Sequence, residues 1–139
     1  MSKITYNADS LKLMSLFENV TRTRIKDYFV DDNDITTFVV DEVFLGKAIG
    51  KQAVNVKKLE QMLGKRIRMI GFNQDPAKFA KNLIYPMKAE IEVKENIIYL
   101  KGDSSSTKAM LIGRNQSNIK NNLNIIKKYF KEIVGLKVV

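Results

Sequence analysis

The chain has 139 residues, 45% apolar and 28% charged, with 24 Lys and Arg against 15 Asp and Glu, for a formal net charge of +9. Zero cysteines exclude disulfides and thiolate ligands, and zero histidines argue against structural zinc and histidine acid–base chemistry. The positive balance favours a polyanionic partner, and no apolar run is long enough to span a bilayer.

Met1–Asn7 reads as a loose lead-in without the apolar core of a signal peptide, so the expected compartment is the cytoplasm. Ala8–Arg22 carries Leu13, Leu16, Phe17 and Val20 at i, i+3, i+4 and i+7, which predicts a surface helix. Ile25–Val30 and Ile35–Asp41 are rich in β-branched and aromatic residues, with Asp31–Asp34 as the turn of a hairpin. That acidic turn lacks the glycine and distal glutamate of an EF-hand and is read as solvated. Val43–Ile49 predicts a short helix, Gly50–Ala53 a loop, and Val54–Leu63 a second helix with Val56, Leu59 and Leu63 on one side. Gly64 is the helix stop, and Arg66–Ile70 a third strand.

Asn73–Asp75 is the one linker candidate. Asp75 and Pro76 start a helix as N-cap and first residue, with Phe79, Ala80 and Leu83 as its apolar stripe and Pro86 at its end. Ala89–Lys94 and Ile97–Lys101 form a second hairpin around Glu95-Asn96. Ser104–Thr107 reads as a loop ending in an N-cap before a short helix through Leu111. Residues from Gln116 to about Lys131 predict a helix with Ile119, Leu123, Ile126 and Phe130 on one face, and Ile133–Val139 a last strand.

The second half therefore repeats the element order of the first. A shift of 63 residues lays Ile49 on Ile112, Gly50 on Gly113, Lys51 on Arg114, Asn55 on Asn118, Val56 on Ile119 and Lys57 on Lys120. The same shift lays Leu16, Phe17 and Val20 on Phe79, Ala80 and Leu83. One shift serving separated segments implies two tandem copies of one small domain, residues 1–72 and 73–139. Both halves are basic: 12 basic and 9 acidic residues before the boundary (+3), and 12 and 6 after it (+6). The short junction predicts that the two copies do not tumble independently.

In each copy a short helix runs into a turn carrying glycine and a cation, and a second helix leaves it. A helix start directs backbone N–H groups and a positive dipole end at that turn, where a phosphate can sit. Lys51 and Arg114 lie at the two tips. Lys47 stands one turn before the first loop, and Lys57 and Lys120 one turn into the following helices. Ile49 and Ile112 read as core, and neither copy carries an aromatic stacking pair.

The Ile-Gly-Lys/Arg loop between two helices, with Asn and Lys downstream, resembles the KH domain of RNA-binding proteins. The helix and hairpin ahead of each loop resemble its type II arrangement. The junction Asp75-Pro76-Ala77 with Phe79, Ala80, Asn82 and Pro86 is similar to that joining the KH domains of NusA-type transcription factors. The short form is similar to the archaeal NusA-like proteins. The resemblance implies an α+β fold of two tandem type II KH domains, each helix-strand-strand-helix-helix-strand with a three-stranded sheet. It further implies a non-enzymatic, monomeric, cytoplasmic factor that binds single-stranded RNA and acts with RNA polymerase in elongation or termination. No cofactor, metal, membrane or small-molecule substrate is expected. Implied RNA-binding residues are Lys47, Gly50, Lys51, Gln52, Ala53 and Lys57 in the first copy, and Gly113, Arg114, Asn115, Gln116 and Lys120 in the second. A protein–protein adaptor and a ribosome- or processing-associated KH protein are the alternatives.

One departure matters. The family loop is Gly-x-x-Gly, and the second glycine is Ala53 in one copy and Gln116 in the other. A bare backbone there lets RNA approach closely. Ala53 is expected in the right-handed α region at a helix start, free of strain, so that Ala53→Gly would slightly lower stability. Gln116 is expected to obstruct the groove, leaving the first copy as the stronger clamp.

Overall fold

In the computed structural model, α1 (Ala8–Thr21) opens the described residues, 8–139; the expected lead-in Met1–Asn7 lies outside them. It is followed by β1 (Asp27–Val30), β2 (Thr36–Asp41), a 3₁₀ turn (Glu42–Phe44), α2 (Leu45–Ile49), α3 (Val54–Leu63) and β3 (Ile67–Phe72). The expected helix over Val43–Ile49 is thus split into a 3₁₀ turn and a one-turn α-helix. Asp41 caps the turn by accepting from the Val43 N–H, and the helix proper starts only at Leu45.

After the Phe72/Asn73 boundary come α4 (Pro76–Ile84), β4 (Ala89–Lys94), β5 (Ile97–Gly102), α5 (Ser105–Ile112), α6 (Ser117–Tyr129) and β6 (Gly135–Val138). The chain divides at this boundary into two compact units, each with its own three-stranded sheet, ordered β1-β2-β3 and β4-β5-β6. In both, the hairpin pair is antiparallel and the returning strand lies parallel to the middle one, Thr36 opposite Ile67 and Ile97 opposite Gly135. A parallel return needs a crossover, and α2–α3 or α5–α6 supplies it. The fold is α+β, two tandem KH domains of the type II order.

In the first unit all residues from Thr36 to Val40 are buried, as befits a central strand. The core gathers Phe17 of α1, Phe38 and Val40 of β2, Ala48 of α2 and Leu59 of α3, with Leu13, Leu16, Val20, Val56 and Leu63 packed against it. The Phe17 and Phe38 rings stack at 4.5 Å. In the second unit Phe79 of α4 meets the rings of Tyr129 and Phe130 at 5.5 and 5.6 Å. The buried face of α6 is wider than the expected stripe. Ile126 and Phe130 are buried, but so are Asn121, Ile125 and Tyr129, while Ile119 and Leu123 are only half-buried.

The punctuation is local chemistry. Asp31 accepts from the N–H groups of Asn33 and Ile35 and so shapes the acidic turn itself. Asp75 caps α4 ahead of Pro76, and Gly64 closes α3 in the left-handed region. Ser104 caps α5 by accepting from the Thr107 N–H, so Ser105–Thr107 are already helical and not the expected loop. In β3, the Arg68 guanidinium is pulled below its ordinary pKa by burial, with Asp31 working in the opposite direction.

Candidate nucleic-acid interface

Each unit carries one helix–loop–helix, and the two loops have the same backbone. In the first, the Gly50 N–H closes α2 on the Gly46 carbonyl at 3.0 Å, and Gly50 turns the chain at φ 80°, ψ 167°. In the second, the Gly113 N–H closes α5 on the Ala109 carbonyl at 2.9 Å, and Gly113 has φ 74°, ψ 168°. That combination belongs almost exclusively to glycine. Space forbids a side chain as well. A Cβ on Gly50 would lie 2.9 Å from Val54 Cγ1 and 3.0 Å from Asn55 Nδ2. On Gly113 it would lie 2.7 Å from Asn118 Cγ and 2.8 Å from the Asn118 backbone nitrogen.

Two left-handed residues follow in each loop. Gln52 (φ 55°, ψ 32°) and Ala53 (φ 60°, ψ 30°) match Asn115 (φ 54°, ψ 33°) and Gln116 (φ 64°, ψ 21°). The Ala53 N–H reaches back to the Gly50 carbonyl at 3.1 Å, and the Gln116 N–H to the Gly113 carbonyl at 3.2 Å. The expectation of an unstrained, right-handed Ala53 is therefore wrong. Crowding between Cβ and the carbonyl oxygen makes this region costly for L-residues, by roughly 1–2 kcal/mol each. Asparagine tolerates it better than alanine or glutamine do. The family's second glycine has a conformational use here, in addition to leaving room for a ligand.

What holds the strained turn is an asparagine in each copy. Asn55 Nδ2 donates to the Lys47 carbonyl across the loop at 3.3 Å, and Asn118 Nδ2 donates to the Met110 carbonyl at 2.8 Å. Both bonds span eight residues and tie the first turn of the outgoing helix to an open carbonyl near the end of the incoming one. The repeat alignment pairs these asparagines without revealing this role; their constant spacing from the glycines was the available signal.

Lys51 and Arg114 are exposed at the loop tips, together with Gln52, Asn115 and Gln116, while Gly50, Ala53 and Gly113 are half-buried. Lys47, Lys57 and Lys120 are exposed on the adjoining helices. Among the described residues none of these five cations forms an ion pair. Each loop therefore gathers its sequence-identified residues around one helix start, with α3 and α6 directing their positive dipole ends at it. The surroundings differ. The counterpart of Lys47 in the second copy is Met110, 59% exposed, and the 3₁₀ turn before the first loop exposes Val43 and Phe44, where the second copy has Ser106 and Thr107. Ile49 and Ile112 are half-buried. Among the described residues no helix is long and apolar enough to cross a membrane.

No family model matches the chain. Individual relatives do, and three carry the same description, probable transcription termination protein NusA. The one from Methanococcus vannielii is 38% identical over 88 residues, 63% of this chain and 50% of that protein. The one from Methanocaldococcus jannaschii is 26% identical over 143 positions, spanning 100% of this chain and 77% of the relative. The one from Halococcus morrhuae is 29% identical over 133 positions, 92% of this chain and 94% of the other. The match thus spans only half the length of the Methanococcus vannielii protein. Among solved structures, the crystal structure of APE1850 superposes with a TM-score of 0.72 at 27% identity, covering 96% of this chain and 99% of that one. In sequence the chain is similar to archaeal proteins described as probable transcription termination protein NusA, to one of them along its whole length.

Proposed function

We propose that the chain is a single-stranded RNA-binding transcription factor. It acts on nascent RNA beside RNA polymerase, by equilibrium binding and without a catalytic step, as a cytoplasmic monomer. The observation that carries this reading is the duplicated loop: two glycine turns of one backbone conformation, each with an exposed cation at its tip, without an ion-pair partner among the described residues, and a helix start behind it. A polyanion with a flexible backbone fits that arrangement, because successive phosphates can follow the loop while unstacked bases lie alongside. Lys51 and Arg114 meet phosphate, Arg114 being able to do so with two parallel N–H bonds. Lys47, Lys57 and Lys120 extend the field, and Gln52, Asn115 and Gln116 offer polar side chains to the ligand. The termination-protein names of the relatives support the transcriptional setting.

Filter binding of a short single-stranded RNA at two salt concentrations tests the proposal. The expected result is moderate affinity that falls steeply with salt, as counterions are released from several neutralised phosphates. Duplex DNA of equal length should bind more weakly at physiological salt. Equal, salt-insensitive or absent binding would overturn it in favour of a protein adaptor, for which adjacent exposed Val43 (75%) and Phe44 (51%) are one apolar contact.

A further inference from the structure

The second unit poses a puzzle of charge. It is the more basic half, yet its loop has one cation fewer around it than the first, since Met110 replaces Lys47 and Asn121 replaces Lys58 while Lys108 replaces Leu45. Part of its excess lies on α4. Lys78, Lys81 and Tyr85 stand at i, i+3 and i+7, one stripe of that helix and its C-cap, on the side away from buried Phe79, Ala80, Leu83 and Ile84. Tyr85 is 79% exposed, more than any other large apolar or aromatic residue described. Lys78, Lys81 and the following Lys88 are exposed, and among the described residues none of the three has an ion-pair partner. Beside the stripe lies an open groove of about 230 Å³ between α4 and β4, walled by Lys78 and Lys81 with Ala89 and Ile91 and by no acidic group. Lys88 faces a second groove sharing the Ala89 wall, where Glu90, Lys101 and Asp103 also stand.

The fold does not require this surface. In the first unit the same places are held by Ser15, Glu18 and Arg22, and Glu18 is spent on the chain itself, accepting from the Ile25 N–H at 2.9 Å. The copy at Lys81 has opposite charge and no such bond. A solvated lysine stripe alone would be unremarkable; this one ends on an aromatic ring that stands almost fully in water and offers a face for stacking.

From this we propose that the α4 stripe is a second contact for the same RNA, outside either glycine loop. One unpaired base stacks on the Tyr85 ring, and the flanking phosphates lie on Lys78, Lys81 and Lys88. The inference rests on the RNA-binding reading above. Stacking on one exposed ring is tolerant of base identity and needs an unpaired strand, so this contact adds affinity and length dependence without sequence preference.

The test is fluorescence anisotropy with the whole chain and a labelled 12-nucleotide oligouridylate. Tyr85→Ala should weaken binding about tenfold, and Tyr85→Phe should retain it. Lys78→Gln, Lys81→Gln and Lys88→Gln together should reduce the salt slope by about two, from three phosphates lost. Wild-type affinity in Tyr85→Ala, or an equal loss in Tyr85→Phe, overturns the contact. An equal loss on duplex DNA overturns it too, because a paired base cannot stack there. A wild-type chain that fails to hold the oligonucleotide at low salt overturns the RNA reading along with it. Binding that is lost in Lys51→Asp/Arg114→Asp but unmoved in Tyr85→Ala overturns the α4 contact alone.

Discussion

The first and second glycine loops share a backbone to within ten degrees and a few side chains, but differ in the charge around them. Gly50 and Gly113 turn alike, and Gln52-Ala53 and Asn115-Gln116 occupy the same left-handed pair. Yet the first loop has Lys47, Lys51, Lys57 and Lys58 about it, and the second Lys108, Arg114 and Lys120. The second is instead closed by the shorter asparagine bond, 2.8 Å against 3.3 Å. The difference teaches that conformation and charge have been separated. One loop is richer in cations, the other more firmly tied, on a turn that four non-glycine residues hold against their own preference.

The comparison breaks first on RNA. Lys51→Asp combined with Arg114→Asp should lower affinity for single-stranded RNA by about a hundredfold, since each reversal replaces a phosphate contact with repulsion. The melting temperature should barely move, because both residues are exposed and form no ion pair among the described residues. Taken singly, Lys51→Asp should cost more than Arg114→Asp, given the cations around the first loop. The reverse order in parallel titrations would show that the second loop is the stronger clamp.

Stability separates the loops in the opposite sense. Gly113→Ala should cost about 3 kcal/mol and Gly50→Ala about 2 kcal/mol in urea unfolding. The added Cβ in the second loop meets the Asn118 backbone nitrogen, whereas the nearest atoms in the first belong to the side chains of Val54 and Asn55. Equal losses would mean that strain at positive φ, common to both, outweighs the contacts.

Removing the ties is a smaller perturbation. Asn118→Ala should cost about 1.5 kcal/mol and Asn55→Ala about 0.5 kcal/mol, in line with their hydrogen-bond lengths. Both should also loosen RNA binding, because the turn that presents the loop-tip cation loses its tie. An unchanged affinity in Asn118→Ala would confine the asparagine to a structural part.

The smallest effects come from restoring glycine. Ala53→Gly should stabilise the chain by about 0.5 kcal/mol, the net of relieved left-handed strain and added unfolded-chain entropy. This reverses the sign expected for a right-handed helix start. Gln116→Gly should stabilise by a similar amount and tighten RNA binding if the carboxamide obstructs the groove. Weaker binding would instead assign Gln116 a hydrogen bond to the ligand. Calorimetry and titration on the same two variants separate the effects.

Much of this was determined by the sequence itself. The 63-residue repeat, the hairpins around Asp31–Asp34 and Glu95-Asn96, the cap at Asp75 and the glycine stop at Gly64 all rest on local chemistry that residue type states directly. The tertiary structure decided the rest. It set the parallel return of β3 and β6, the wider buried face of α6 with Asn121 and Tyr129, the cross-loop bonds of Asn55 and Asn118, and the left-handed Ala53 and Gln116. The last could not be read from residue type, because alanine and glutamine both favour the right-handed region. Two helices packed on one sheet and joined by so few residues impose the turn, and the side chains on it comply.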